Sequence, residues 1–124
     1  MKILICEDEE ILLTALEFRL SKKGFTTLTA KNGKEALQKI QDEAPDMVVA
    51  DVMMPYVNGL ELIDLVRHEF ENSLPIIVMS ALEDDDTVLE AFRLGATDFI
   101  SKPFKPMELV LRIRKIVQDQ QQAA

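Results

Sequence analysis

No run of apolar residues in this 124-residue chain is long enough to cross a membrane; the longest are strand-sized. No signal peptide is expected either. The opening Met-Lys-Ile-Leu-Ile-Cys-Glu-Asp turns acidic after a short apolar stretch and carries no cleavage pattern. The single cysteine, Cys6, excludes an internal disulfide and suits a reducing compartment, so the cytoplasm is the expected location. Aromatic residues make up only 6% against 48% apolar, which leaves Leu, Ile, Val, Met and Phe to build the core. Positive charge is scarce as well: 22 acidic against 14 basic residues give a net charge of −8. Such a surface repels anionic lipid and nucleic-acid backbone, so direct DNA binding by this segment is not expected. The length suits one domain, expected over residues 1–118, with 119–124 as a fraying helix end or the start of a linker.

What is present is an alternation of two periodicities. Ile3-Leu4-Ile5-Cys6, Met47-Val48-Val49-Ala50 and Ile76-Ile77-Val78-Met79 are apolar at every position, as strands covered on both faces must be. Residues 25–30 and 97–101 are weaker candidates, suited to sheet edges. Helical spacing fills the gaps at 9–23, where Leu12, Leu16 and Leu20 stack, and at 32–43, 59–70, 84–94 and 106–118. Alternating βα units with right-handed crossovers predict an α/β, flavodoxin-like, doubly wound five-stranded parallel sheet with five helices. With the second and fifth strands at the edges, the strand order is 2-1-3-4-5.

Polar residues follow the central strands. The first strand runs into Glu7 and Asp8, the third into Asp51, the fourth into Ser80 and the fifth into Lys102. Ligands bind such sheets at the carboxyl ends, where the strand order reverses, and here that reversal sets Asp8 beside Asp51. Crowded carboxylates need a cation or raised pKa values to coexist, and hard oxygen donors suit Mg2+. An aspartate carboxylate can itself act as nucleophile and form an aspartyl phosphate, with a lysine and a hydroxyl meeting the phosphoryl oxygens.

Four stretches carry a close resemblance to the response regulator receiver family. They are Ile-Leu-Ile-Cys-Glu-Asp-Glu-Glu (3–10), Pro-Asp-Met-Val-Val-Ala-Asp-Val-Met-Met-Pro (45–55), Ile-Val-Met-Ser-Ala (77–81) and Gly-Ala-Thr-Asp-Phe-Ile-Ser-Lys-Pro-Phe (95–104). The resemblance implies Asp51 as phosphoacceptor, Asp8 as direct metal ligand, Glu7 as water-mediated ligand, and the backbone carbonyl of Met53 as a further ligand. It implies that Ser80 and Lys102 bind the phosphoryl group, that Lys102-Pro103 is a cis peptide, and that the donor is a phosphohistidine on a sensor histidine kinase or phosphotransfer protein. The chain would then be a phosphoacceptor rather than an enzyme in its own right, with slow autodephosphorylation. Met53 and Leu82, two residues beyond acceptor and hydroxyl, are bulky and unable to orient a water. Glu7 stands where Asp is commonest in the family, Ser80 where Thr is, and Phe99 at a switch position often held by Tyr.

The chain also resembles the winged-helix transcription-factor subfamily of receivers, which dimerises through the fourth helix, fifth strand and fifth helix. Asp98 and Arg112 match one intermolecular ion pair of that face; Glu108 matches half of another, with Val88 in place of its partner. Val110 and Leu111 widen the apolar surface of the last helix beyond the stripe of Leu109, Ile113, Ile116 and Val117. A phosphorylation-dependent homodimer is therefore expected, with Phe99 turning inward as Ser80 is drawn to the phosphoryl group.

Blander readings hold elsewhere. Glu9 and Glu10 complement a helix dipole, the acidic run 83–86 caps a helix, His68 is an idle surface residue, and Cys6 an inert buried thiol. An Mg2+-dependent phosphatase of the haloacid dehalogenase type would carry Asp-x-Asp after its first strand, where Glu7-Asp8-Glu9-Glu10 stands. A non-phosphorylated pseudo-receiver would lack the acceptor or the lysine. A flavodoxin would not set acids against flavin phosphate.

Overall fold

Each apolar run becomes a strand and each helical stretch a helix. The structure, a computed structural model, describes residues 1–70, 73–81 and 84–123. The elements alternate: β1 (Lys2–Cys6), α1 (Glu10–Lys22), β2 (Thr26–Ala30), α2 (Gly33–Glu43), β3 (Met47–Asp51), α3 (Gly59–Asp64, continued by a wide turn at Leu65–Glu69), β4 (Ile76–Ser80), α4 (Asp85–Leu94), β5 (Asp98–Ser101) and α5 (Pro106–Ala123). All neighbouring strands are parallel, in the order β2-β1-β3-β4-β5. This is the flavodoxin-like order expected, and no helix among the described residues is long and apolar enough to cross a membrane.

The pleat divides the core into two layers. Ile3, Ile5, Val49, Ile77 and Ile100 face α1 and α5, where Leu13, Leu16, Leu20, Leu109 and Ile113 meet them. Leu4, Cys6, Val48, Ala50 and Val78 face α2, α3 and α4, against Ala36, Ile40, Leu62, Ile63 and Ala91. β3 and β4 are buried along their whole length, whereas β2 is mostly half-buried, as the sequence signal at the edge implied. Helix starts are set by side-chain caps: Asn32 accepts from the Glu35 amide at 2.9 Å, Asn58 forms a capping box with Glu61, and Asp84 accepts from Thr87 at 3.0 Å.

Three features depart from the sequence reading. The third helix is not regular to its end: Leu65–Glu69 winds as a π-helical turn, with the Phe70 amide donating to Leu65 O at 3.1 Å. That turn carries Arg67, whose half-buried guanidinium donates to Gly95 O at 3.0 Å and to Leu74 O at 2.7 Å, joining α3 to the ends of two other elements. The last helix runs past residue 118 to Ala123, with 118–122 exposed. Val110 does not widen an outer face. It is 1% exposed and belongs to the core beside α1, because α5 packs on α1 as well as on the sheet; Leu111, at 57%, does face solvent.

This correction predicts opposite outcomes at adjacent positions. Val110→Ala should cost about 1–3 kcal/mol in urea denaturation, and Leu111→Ala less than about 0.5 kcal/mol. Equal effects would return Val110 to the surface.

Candidate functional site

The carboxyl ends of β1, β3, β4 and β5 form one rim, and the only polar or charged residues counted as buried among those described, Glu7, Asp51 and Ser80, all lie on it. Strand register puts them there. Cys6 pairs with Ala30 and Ala50, so Glu7 and Asp51 each stand one step beyond, and the Glu7 amide is held by Ala30 O at 3.0 Å. Ser80 pairs with Ser101, and the Lys102 amide donates to Ser80 O at 2.8 Å, which delivers Lys102 to the same rim.

Lys102 binds the site together. Its ammonium donates to Glu7 Oε2 at 2.8 Å and also to Asp51 Oδ2. The remaining oxygens are also engaged: Glu7 Oε1 accepts from the Glu9 amide at 3.2 Å, and Asp51 Oδ1 from the Met53 amide at 2.9 Å. Asp8 is exposed. Burial, foremost, and then the hydrogen-bonded Asp51 push Glu7 up to about 7, against the pull of Lys102. Burial alone would lower Lys102, but its hydrogen bonds to Asp51 and Glu7 outweigh it and hold the ammonium above its ordinary value. One lysine between two buried carboxylates satisfies both only partly.

Glu7, Asp8 and Asp51 each offer an oxygen, and the three lie within 4.8 Å of one another. An all-carboxylate donor set of this kind fits a small hard cation. Beside Lys102 opens a hollow of about 380 Å³ lined by Glu9, Leu12, Ala81, Pro103 and Phe104, which leaves the rim accessible from the α1 side. The Lys102-Pro103 peptide is cis.

The other expected residues fall in different places. Phe99 stands opposite Val78, two residues short of the Ser80–Ser101 pair, and is already packed into the α2–α4 layer, 9% exposed, so an inward turn has no outward starting position in this structure. Asp98, Arg112 and Glu108 cluster on the far side of β5 and pair within one chain. Arg112 reaches Asp98 Oδ1 at 3.0 Å, Phe99 O at 3.1 Å and Glu108 at 3.5 Å. Met53 is 62% exposed, two residues beyond Asp51; Leu82 and Glu83 lie outside the described residues. His68 is exposed, 3.5 Å from Asp64, and burial pushes the Cys6 thiol far above its ordinary value, in keeping with idle and inert roles.

Residues 3–114 match the family model described as the response regulator receiver domain. The chain belongs to this family. It is a receiver domain of the two-component response regulators, and these are signalling proteins. It is 36% identical over 99% of its length to the alkaline phosphatase synthesis transcriptional regulatory protein PhoP of Bacillus subtilis. It is also 42% identical over 94% to the probable transcriptional regulator ycf27 of Cyanophora paradoxa. The receiver spans about half the length of these curated relatives, 51% and 48%. Among solved structures, the receiver domain of the Francisella response regulator 1452 superposes with a TM-score of 0.91 at 30% identity, covering 96% of this chain and 98% of that one.

Kept in chelator, the rim has a testable pH signature. A carboxyl raised from 4.5 to about 7 holds its proton more tightly in the folded chain, so its contribution to stability is present below the ordinary value and lost as pH rises through about 7. In chelator, Glu7→Gln should therefore gain stability over the wild type as pH rises between those two values. A difference in denaturation midpoint that stays flat across this window contradicts the assignment.

Proposed function

We propose that Asp51 is the phosphoacceptor of this receiver, taking the phosphoryl group of a phosphohistidine on a sensor histidine kinase or phosphotransfer protein in the cytoplasm. The observation that carries this is Lys102 gripping Asp51, one of three carboxylates that converge within 4.8 Å. Asp51 attacks phosphorus in line, the bond from phosphorus to the donor nitrogen breaks, and an acyl phosphate forms on the carboxylate. Mg2+ bound by Glu7, Asp8, Asp51 and the Met53 carbonyl would supply positive charge to the phosphoryl oxygens. Lys102, released from Asp51 Oδ2, follows the charge onto the transferred group, and Ser80 donates its hydroxyl there. Glu7 must loosen its hold on Lys102 to serve the metal, directly or through water. The exposed Met53 side chain beside the acceptor offers no group to orient an attacking water, which supports slow autodephosphorylation.

The output is proposed to run through α4, β5 and α5. Phosphorylation raises the share of a state in which Ser80 is drawn to the phosphoryl group and Phe99 stays inward. On the same face Leu89, Phe92 and Leu111 are exposed at 66%, 45% and 57%. An exposed apolar set of this kind supports a homodimer. Arg112 would then exchange its own Asp98 for that of a second copy. The curated relatives named transcriptional regulators support an output of that class.

Incubation with a small acyl phosphate and magnesium, followed by intact mass, should give a single phosphoryl addition. Chelator or Asp51→Asn should abolish it, Asp8→Ala should weaken Mg2+ binding severely, and Met53→Asn should change the decay rate of the label. Full labelling of Asp51→Asn would remove the acceptor assignment.

Light scattering with beryllofluoride and magnesium should report a dimer that Arg112→Asp abolishes and added Asp98→Arg restores. A particle that stays monomeric at high concentration in both states rules the dimer out.

A further inference from the structure

The loop between β3 and α3 carries Met53 past the acceptor, and the start of α2 presses against it. Gly33 is buried as the first residue of α2, and its amide donates to Pro55 O at 3.4 Å. A Cβ on Gly33 would stand 1.8 Å from Val57 O, 2.5 Å from Val57 Cβ and 2.6 Å from the Val57 carbonyl carbon. Two of those three atoms are backbone, so no rotamer change relieves the overlap; only the loop can move. The same Pro55 carbonyl also accepts from the Val57 amide at 2.9 Å, with Tyr56 between them at φ 69. An i to i+2 hydrogen bond across a positive-φ residue is the rare, strained form of γ-turn. Tyr56 is 80% exposed, so its own side chain does little to hold this geometry. The loop's other end is fixed by Gly59, where a Cβ would lie 2.5 Å from Asp51 O, and by the Gly59 amide on Val52 O at 3.0 Å.

We infer that Gly33 is a positioning residue for the phosphoryl and metal site: by accepting Val57 at backbone contact it clamps the strained 55–57 turn and so sets the Met53 backbone against Asp51. The inference rests on the proposed reading of the Asp51 rim as a metal site. Gly33 meets the loop at Pro55 and Val57, four and six residues beyond Asp51. It acts on the loop from the second helix, the way outer partners orient the groups that bind a metal.

Two measurements test it. With the wild-type chain, Mg2+ is titrated while backbone amide resonances are followed; only four glycines are present, so Gly33 is readily assigned. Gly33 should shift together with Met53 and Asp51, giving the same dissociation constant. In calorimetry, Gly33→Ala should weaken Mg2+ binding roughly tenfold, the usual lower bound for losing an orienting partner. Ile40→Val, a packing change in the same helix, should lower the melting temperature and leave Mg2+ affinity unchanged. Wild-type shifts at Met53 and Asp51 with none at Gly33 overturn the inference alone. So does a folded Gly33→Ala that binds Mg2+ as the wild type does. A wild-type chain that binds no Mg2+ overturns the reading on which it rests.

Discussion

One ammonium group holds this rim together. Lys102 reaches Glu7, 95 residues away in sequence, and Asp51, 51 residues away, and these contacts demand that the ends of β1, β3 and β5 lie at one level. Removing that cation would leave two largely buried carboxylates with only each other and backbone amides, and an unpaired buried charge costs several kcal/mol. The strand order β2-β1-β3-β4-β5 meets the demand: β1 and β3 are neighbours, and Lys102 has the length to reach across the end of β4 to both. Glu7 is raised chiefly by its burial and then by the neighbouring Asp51, a rise that the bond to Lys102 opposes, while the bonds of Lys102 to both acids keep the ammonium charged.

Legibility in the sequence follows from how local the causes are. The inner strands were legible because burial on both faces leaves no polar position, and the rim acids and lysine because each interrupts such a run at its end. In α1 the spacing singled out Leu12, Leu16 and Leu20, whereas the helix buries Leu13, Leu16 and Leu20 and leaves Leu12 half-covered. The period was right and the phase shifted at its start. The π-helical turn was not legible, since what accompanies it is Arg67 reaching carbonyls of Gly95 and Leu74, neither on its own helix. Val110 was misassigned because one-sided packing was assumed for a helix that also meets α1. Nor did anything local mark Gly33: in sequence it reads as an ordinary helix start after an Asn cap, and its closeness to Val57 exists only once two crossovers have been stacked. Of the site, then, the chemistry-bearing side chains were readable and the backbone contacts that aim them were not.

The rim at Asp51 and the outer face of β5 are separated by very little covalent structure, and this bears on how a change at one would be felt at the other. Ser80 shares a ladder position with Ser101, and the Lys102 amide is bonded to Ser80 O at 2.8 Å, so a displacement of Ser80 pulls directly on β5. Two residues upstream of Ser101, the Phe99 ring is buried against the α2–α4 layer while its carbonyl accepts from Arg112 at 3.1 Å. Arg112 in turn holds Asp98 and Glu108. Each link is a hydrogen bond or a core contact, and none requires a helix to slide. A four-residue edge strand has few ladder bonds with which to resist such a pull, and its outer side is secured by Arg112 rather than by another strand. Buried along their whole length, β3 and β4 hold Asp51 and Ser80 in place, while β5, short and bordered by side chains on α5, is the element through which a displacement of Ser80 would reach the surface.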